Sequence, residues 1–301
     1  FLGGGAMMVI ARSYGVMVRA YPVAGAEFAY AYWVGGRYHA YACGWLLALG
    51  YLSSVPLNAT ALGLLGKLVA PQLFARGYLY DVAGLEVFVG EIVLASAAIT
   101  AIATLQILGA RTVGAAQVGL TGLLIVGVVV VGVGMPMSAV ASLGNLEPPF
   151  ALGRSPISGV LAVFAIAPWL FVGFDTLPQA AEEFDFSPHQ GFRLMTVAIG
   201  LGALMYVAMI LATGLVGPWP ELGAASPVWP TGTAVVDGLG PIGLACLTVA
   251  VAMAVFSGIN GFFMASSPEI TVQTSGRRQS VRLLKFSRRV KAFSHAPLDS
   301  K

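Results

Sequence analysis

Residues 161–183 read LAVFAIAPWLFVGFDTLPQAAEE, an apolar run of membrane-spanning length that is interrupted by Gly173-Phe174-Asp175 and by Pro178. A helix in lipid tolerates an ionisable group in its interior only where that group faces protein, water or a solute, because an isolated charge in hydrocarbon is costly. The stretch therefore predicts a discontinuous membrane helix with a functional site at its break.

The composition of the whole sequence is that of a membrane protein. Hydrophobic residues make up 57% of the 301 positions, charged residues make up 10%, and the mean hydropathy is +0.84. A soluble domain of this length is much less apolar, so we expect an all-α, multi-pass protein of the cell membrane. Cys43 and Cys246 lie in apolar runs without metal-ligand spacing, and we interpret both as packing residues rather than as a disulfide or a metal site.

Apolar stretches of about twenty residues, the length that a helix needs to cross the hydrocarbon, recur along the chain. Glycine and proline clusters separate them. The seven predicted spans are 1–20, 40–66, 87–109, 113–136, 157–180, 192–217 and 239–266.

The charges of the short loops predict the orientation of these spans. Arginines fall on one side, at Arg19, Arg37, Arg111 and Arg193. The positive-inside bias indicates that this side is cytoplasmic. The other side holds Lys67, Arg76 and Arg154 together with the acidic residues Glu86, Glu147, Glu221 and Asp237.

The two ends of the sequence differ from its body. The chain begins at Phe1 inside a hydrophobic run, so we expect an earlier helix to precede it. After Ser267 the apolar sequence stops, and eight of the 16 Lys and Arg residues lie beyond residue 276. We interpret 268–301 as a basic, disordered or non-native tail. Nucleic-acid binding is not expected, since the tail holds no recognisable binding module.

Three separated motifs carry a family resemblance. They are YPVAGAEFAYAYWVG at 21–35 with Gly44-Trp45 after it, FVGFDTLPQAAEE at 171–183, and SGINGFFMASS at 257–267. In this order they resemble the amino acid–polyamine–organocation (APC) superfamily of permeases over residues 1–267. The resemblance implies a LeuT-type inverted-repeat transporter fold whose broken helices meet at the substrate site. The predicted spans would correspond to family helices two through eight, so 1–267 is expected to be an incomplete transporter domain.

The broken helix suits a zwitterionic substrate. Unwinding exposes peptide groups near the membrane midplane, where they are tolerated only if they line a cavity or bond to protein. The carboxylate of an amino acid takes N–H groups and its ammonium takes carbonyls at such helix ends. We expect Phe171, Val172 and Gly173 to supply the carbonyls. The alternative is a simple kink in which Asp175 hydrogen-bonds to a neighbouring helix.

Further site residues follow from the resemblance. It implies that Trp169 caps the bound substrate, although Trp169 could instead anchor the helix at the lipid interface. Phe174 would contact the substrate side chain, and Asp175 would serve gating or proton-linked coupling. Asn260 either lines the pathway or bonds within its own helix.

Glu182 and Glu183 follow the break and are expected near the cytoplasmic boundary, at the surface or paired with Arg193. The coupling ion stays open between H⁺, Na⁺ and exchange without an ion. Some proton-coupled relatives carry a Lys in the fifth family helix, whereas residues 113–136 contain none.

The sequence therefore predicts secondary active transport of amino acids or related amines by alternating access, with no cofactor. The bilayer and the substrate are the expected partners, and the oligomeric state is left open. The alternative is a non-transporting structural subunit of a membrane complex. An enzyme is not expected, because neither a GxSxG nor an HExxH motif is present.

Overall fold

The computed structural model describes residues 1–20, 26–82, 84–150, 153, 155–176, 188–226 and 228–274. Helices dominate these residues. They are α1 (Leu2–Ala20), α2 (Ala26–Val69), α3 (Pro71–Phe74), α4 (Val89–Ile107), α5 (Ala110–Gly134), α6 (Pro156–Leu170), α7 (Pro188–Val216), α8 (Trp219–Ala225) and α9 (Pro230–Thr274). Two 3-10 helices, Met135–Met137 and Leu143–Leu146, and the strands β1 (Tyr78–Val82) and β2 (Leu85–Phe88) complete them.

The long helices have the length and composition of membrane spans. Among the described residues five helices are long and apolar enough to cross a bilayer, and two shorter apolar helices, Leu2–Val18 and Pro156–Leu170, accompany them. Each predicted span overlaps one of these seven. Their outer faces are apolar, as Val118 on α5 shows with 75% of its surface exposed. Such faces require lipid rather than water around them, and the predicted all-α polytopic architecture is confirmed apart from one short hairpin.

Two glycines bend the longest helices. α2 begins at Ala26, well before the predicted span, and turns at Gly36, whose φ is 75°. α9 begins at Pro230 and turns at Gly240, whose φ is 67°. Glycine adopts positive φ without steric cost. Each kink joins a short leading helical segment to a membrane span, so the sequence break at Gly35-Gly36 is a bend and not a loop.

The core centres on α9. One cluster joins α9 to α2 and α4 and contains Tyr51, Ala59, Ile102, Ile259 and Phe262. A second cluster joins α9 to α5 and α7 and contains Val131, Met135, Ala212, Val235 and Leu247. α9, which contains the third sequence motif, is therefore packed against other helices on two sides.

The sequence analysis did not predict the hairpin. β1 and β2 pair antiparallel between α3 and α4. The ammonium of Lys67 at the end of α2 holds the base of the hairpin, since Nζ lies 3.0 Å from Oε1 of Glu91 and donates to the Glu86 carbonyl at 2.6 Å. The structure thus brings together Lys67 and Glu86, which the charge pattern predicts to lie on the same side of the membrane.

The last helix continues past the predicted boundary at 267. α9 runs through Pro268 and ends at Thr274. Residues 275–301, which include most of the predicted basic tail, lie outside the described part of the chain.

Candidate functional site

The predicted break in the sixth family segment is present. α6 begins with Pro156 in its first turn, contains Pro168, and ends at Leu170. Residues 171–175 form turns instead of helix. Gly173 has a φ of 113°, a conformation that side-chain-bearing residues rarely adopt. The helix is interrupted where the sequence predicts it. Gly173 adopts the positive φ of the turn, and the interior carboxylate of Asp175 lies beside it.

The side chain of Asp175 holds the break in shape. Its Oδ1 accepts the Gly173 N–H at 3.0 Å, and its Oδ2 accepts the Tyr51 hydroxyl at 2.7 Å. Tyr51 is 4% exposed and packs against Phe262 with ring centroids 6.3 Å apart. One carboxylate therefore fastens the unwound segment both to itself and to the α2–α9 core. The bond from Tyr51 on α2 is the one that the alternative of a kink with Asp175 bonded to a neighbouring helix predicts, whereas the turns at 171–175 agree with the predicted interruption of the helix.

Other peptide groups at the break also have protein partners. Thr176 Oγ1 donates to the Gly173 carbonyl at 2.7 Å, and the Thr176 N–H donates to it at 3.2 Å. The Tyr206 hydroxyl donates to the Leu170 carbonyl at 2.6 Å. Within the described residues no partner is found for the carbonyls of Phe171 and Val172. Of the three carbonyls predicted to meet a substrate ammonium, that of Gly173 is therefore already bonded within the protein.

The two phenylalanines of the break serve as packing anchors. Phe171 meets Tyr206 edge to face with centroids 5.6 Å apart, and Phe174 meets Tyr14 in the same way at 5.6 Å. Both rings pack against a small cluster of Met7, Ala11 and Ile199 on α1 and α7. The ring of Phe174, predicted to contact the substrate side chain, is in this structure directed at Tyr14.

Trp169 and Val172 face outward. Trp169 is 59% exposed and Val172 is 42% exposed. A cavity of about 670 Å³ lies beside the break, between α1, α6 and α7, and is lined by residues that include Ala167, Phe171 and Tyr206. Neither Trp169 nor Asp175 lines this cavity, so the predicted site residues do not all surround one hollow.

Asn260 lies in a buried chain of amides. Its side chain is fully buried. Gln106 Nε2 donates to Asn260 Oδ1 at 2.7 Å, Asn260 Nδ2 donates to Gln117 Oε1 at 2.8 Å, and Gln117 Nε2 donates to Ser257 Oγ at 2.6 Å. Within the described residues the partners of this amide lie on other helices and not on α9. It therefore joins α4, α5 and α9.

The comparison with protein families decides the identity. The model of the amino acid permease family matches residues 1–270. The chain belongs to the amino acid permease family. No curated protein matches it in sequence.

Family membership confirms the resemblance to the APC superfamily and the LeuT-type polytopic fold. A permease moves solute across a membrane, so family membership supports a multi-pass membrane protein with a transport function. Among the described residues no group of three or more His, Cys, Asp or Glu side chains could hold a metal ion.

The sequence does not predict several residues whose side chains form hydrogen bonds between the helices of this permease. Gln106 and Gln117 are polar residues inside predicted apolar spans, and that contrast could have identified them. Tyr51 and Tyr206 carry no local signal, because tyrosine is common in membrane helices. Glu182 and Glu183 lie outside the described residues, so their predicted surface role or ion pair with Arg193 stays a prediction.

Proposed function

We propose that this permease carries amino acids or related amines across the membrane by secondary active transport, with alternating access at the break of α6. The observation that supports the proposal is the Asp175 carboxylate, which bonds the unwound Gly173 N–H and the Tyr51 hydroxyl at once. An interior carboxylate at a helix break of a permease is suited to respond to a positively charged solute group.

The ammonium of the substrate is the group that competes for this carboxylate. An ammonium beside the carboxylate adds the attraction between opposite charges, which the neutral Tyr51 hydroxyl cannot supply. An ammonium that approaches the carbonyls of Phe171 and Val172 would therefore displace the Tyr51 hydroxyl from Asp175. The unwound segment would then be released from α2 while it holds the substrate, and the two events together would couple binding to movement.

Trp169 completes the proposed site from the last turn of α6. Its ring is exposed in this structure and would close over a substrate held at Phe171 and Val172. Phe174 would contribute apolar contact after it leaves Tyr14. Asn260 would act at a distance, by setting the position of α9 and hence of Phe262, which supports Tyr51.

Uptake by the full-length protein, purified and reconstituted in liposomes, tests the function. The solutes are a panel of labelled amino acids and amines, and the driving force is an imposed H⁺ gradient, an imposed Na⁺ gradient, or unlabelled solute inside the vesicle. We expect saturable uptake of at least one solute, and the effective gradient identifies the coupling ion. Asp175→Asn and Trp169→Ala should reduce that uptake.

Tyr38→Phe is the matched control, because Tyr38 is 80% exposed and the Phe ring can still stack on Arg37. If folded protein neither accumulates nor exchanges any solute in the panel, the transport proposal fails and the non-transporting structural subunit replaces it.

A further inference from the structure

The hairpin of β1 and β2 exposes an unusual amount of apolar surface. All five residues of β1 are exposed. On β1 the large side chains Tyr80 and Val82 are 51% and 53% exposed, and Leu85 on β2 is 45% exposed. A two-stranded ribbon is marginally stable in water by itself, so this surface needs a partner.

The pairing register gives the hairpin two different faces. Residues directly opposite in an antiparallel pair share a face, and the faces alternate along the strand. Tyr80 pairs with Val87 and Val82 pairs with Leu85, and these four residues form the apolar hairpin face.

Asp81 pairs with Glu86 on the other side, and these two residues form the acidic hairpin face. Tyr78 and Phe88 pair on that same side at the base of the hairpin, beside Lys67. Two like charges directly opposite each other weaken the ribbon, which increases its need for support on the apolar hairpin face.

The base of the hairpin is fixed to the ends of two membrane helices. Lys67 Nζ lies 5.4 Å from the centroid of the Phe88 ring, in addition to its bonds to Glu86 and Glu91. Glu91 Oε1 accepts the Phe88 N–H at 3.2 Å. β2 then leads directly into α4 at Val89. The hairpin is therefore attached to the end of α2 and to the start of α4, and it cannot move far from these helix ends.

We propose that the apolar hairpin face lies flat on the lipid headgroup layer. This layer is about 5–8 Å deep on each side of the hydrocarbon. A strand of five residues spans roughly 17 Å, so the hairpin fits the layer only if it lies along the membrane. Tyrosine is enriched at this depth because its ring is apolar and its hydroxyl is wet. The acidic hairpin face then points to water, where its carboxylates stay hydrated.

Spin labels test the proposal in the whole protein. Cys43→Ala and Cys246→Ala remove the native thiols, and Val82→Cys or Glu86→Cys adds one label on either face. Glu86→Cys keeps the backbone carbonyl that Lys67 binds. The labelled protein is reconstituted in vesicles of phosphatidylcholine and phosphatidylglycerol. Collisions with oxygen, which concentrates in lipid, are compared with collisions with a nickel chelate, which stays in water.

We expect the ratio of oxygen to nickel collisions to be several-fold higher at Val82 than at Glu86. Leu85→Cys should behave as Val82→Cys does, which protects the result against one misfolded variant. Equal access of the nickel chelate to both faces would place the hairpin in water and overturn the proposal. Shielding of Val82 from both reagents, with spin–spin broadening that unlabelled protein dilutes away, would show a second copy on this face and also overturn it.

Discussion

The hydroxyl of Tyr51 lies 2.7 Å from Oδ2 of Asp175, although the two residues are 124 positions apart in the chain. Tyr51 belongs to the buried α2–α9 core, whereas Asp175 belongs to the unwound end of α6. The bond is the direct polar link between the packed core and the break. Its role can be separated into binding and movement by two substitutions.

Tyr51→Phe removes the competitor for the carboxylate and also removes the link to α2. We expect a lower KM for the substrate, because its ammonium no longer displaces a hydroxyl, and a lower kcat, because the break is no longer coupled to the core. A hydrogen bond to a charged group contributes about 1.5–3 kcal/mol to the free energy of unfolding, so thermal unfolding in detergent should occur at lower temperature. A KM that rises with kcat unchanged would contradict the displacement mechanism. Tyr38→Phe is again the control.

Asp175→Asn keeps the size of the side chain and removes its charge. The Asn Oδ1 can still accept the Gly173 N–H and its Nδ2 can donate to the Tyr51 hydroxyl, but the side chain no longer attracts an ammonium by charge. We expect KM to rise by about tenfold, which corresponds to roughly 1.4 kcal/mol of lost charge-assisted bonding. The measurement is the concentration dependence of initial uptake. An unchanged KM would show that the ammonium binds elsewhere.

Gly173→Ala tests the conformation of the break. Open space surrounds the position where a Cβ would be added, but the φ of 113° strains any L side chain. We expect a loss of about 1–3 kcal/mol of stability, together with reduced uptake. Gly159→Ala is the matched control on α6, because its Cβ also meets open space and its φ is not positive. The control should be neutral or stabilised by up to about 1 kcal/mol. Equal effects of both substitutions would show that the positive φ is unimportant.

Asn260→Ala tests the amide chain. It leaves Gln106 and Gln117 each without one buried partner, at a cost of about 1–3 kcal/mol for each unsatisfied group. Gln117→Ala alone should cost a similar amount, and the double variant should cost less than the sum because the same bond is lost in both. Thermal unfolding measures all three, with Gln72→Ala on exposed α3 as the control. Strict additivity would mean that the two amides do not depend on each other.

The sequence predicts the parts of this fold that depend on local composition. Spans are visible because lipid requires about twenty consecutive apolar residues. The break at Gly173 is visible because a glycine, a proline and an interior Asp175 coincide. Family motifs add the superfamily. The signals for the spans and for the break each lie within one segment of the chain, and the structure agrees with them.

The features of the fold that the sequence does not predict depend on contacts between distant segments. Nothing near Tyr51 indicates that its hydroxyl reaches Asp175. Gln106 and Gln117 stand out in their spans, but their partner Asn260 is fixed only by how three helices pack. The hairpin was missed for another reason. Its strands are short, and the irregular register between Tyr78 and Tyr80 interrupts the alternation that identifies a strand.

The amide chain from Gln106 to Ser257 has a direction. Gln106 donates to Asn260, and Asn260 and Gln117 each accept on one side and donate on the other. Rotation of Asn260 by half a turn would set donor against donor on one side and acceptor against acceptor on the other. The bonds of Asn260 therefore survive a reversal only if Gln106 and Gln117 turn with it. The chain thus fixes the amide orientations on α4, α5 and α9 together, because a flip of Asn260 alone is penalised on two sides at once.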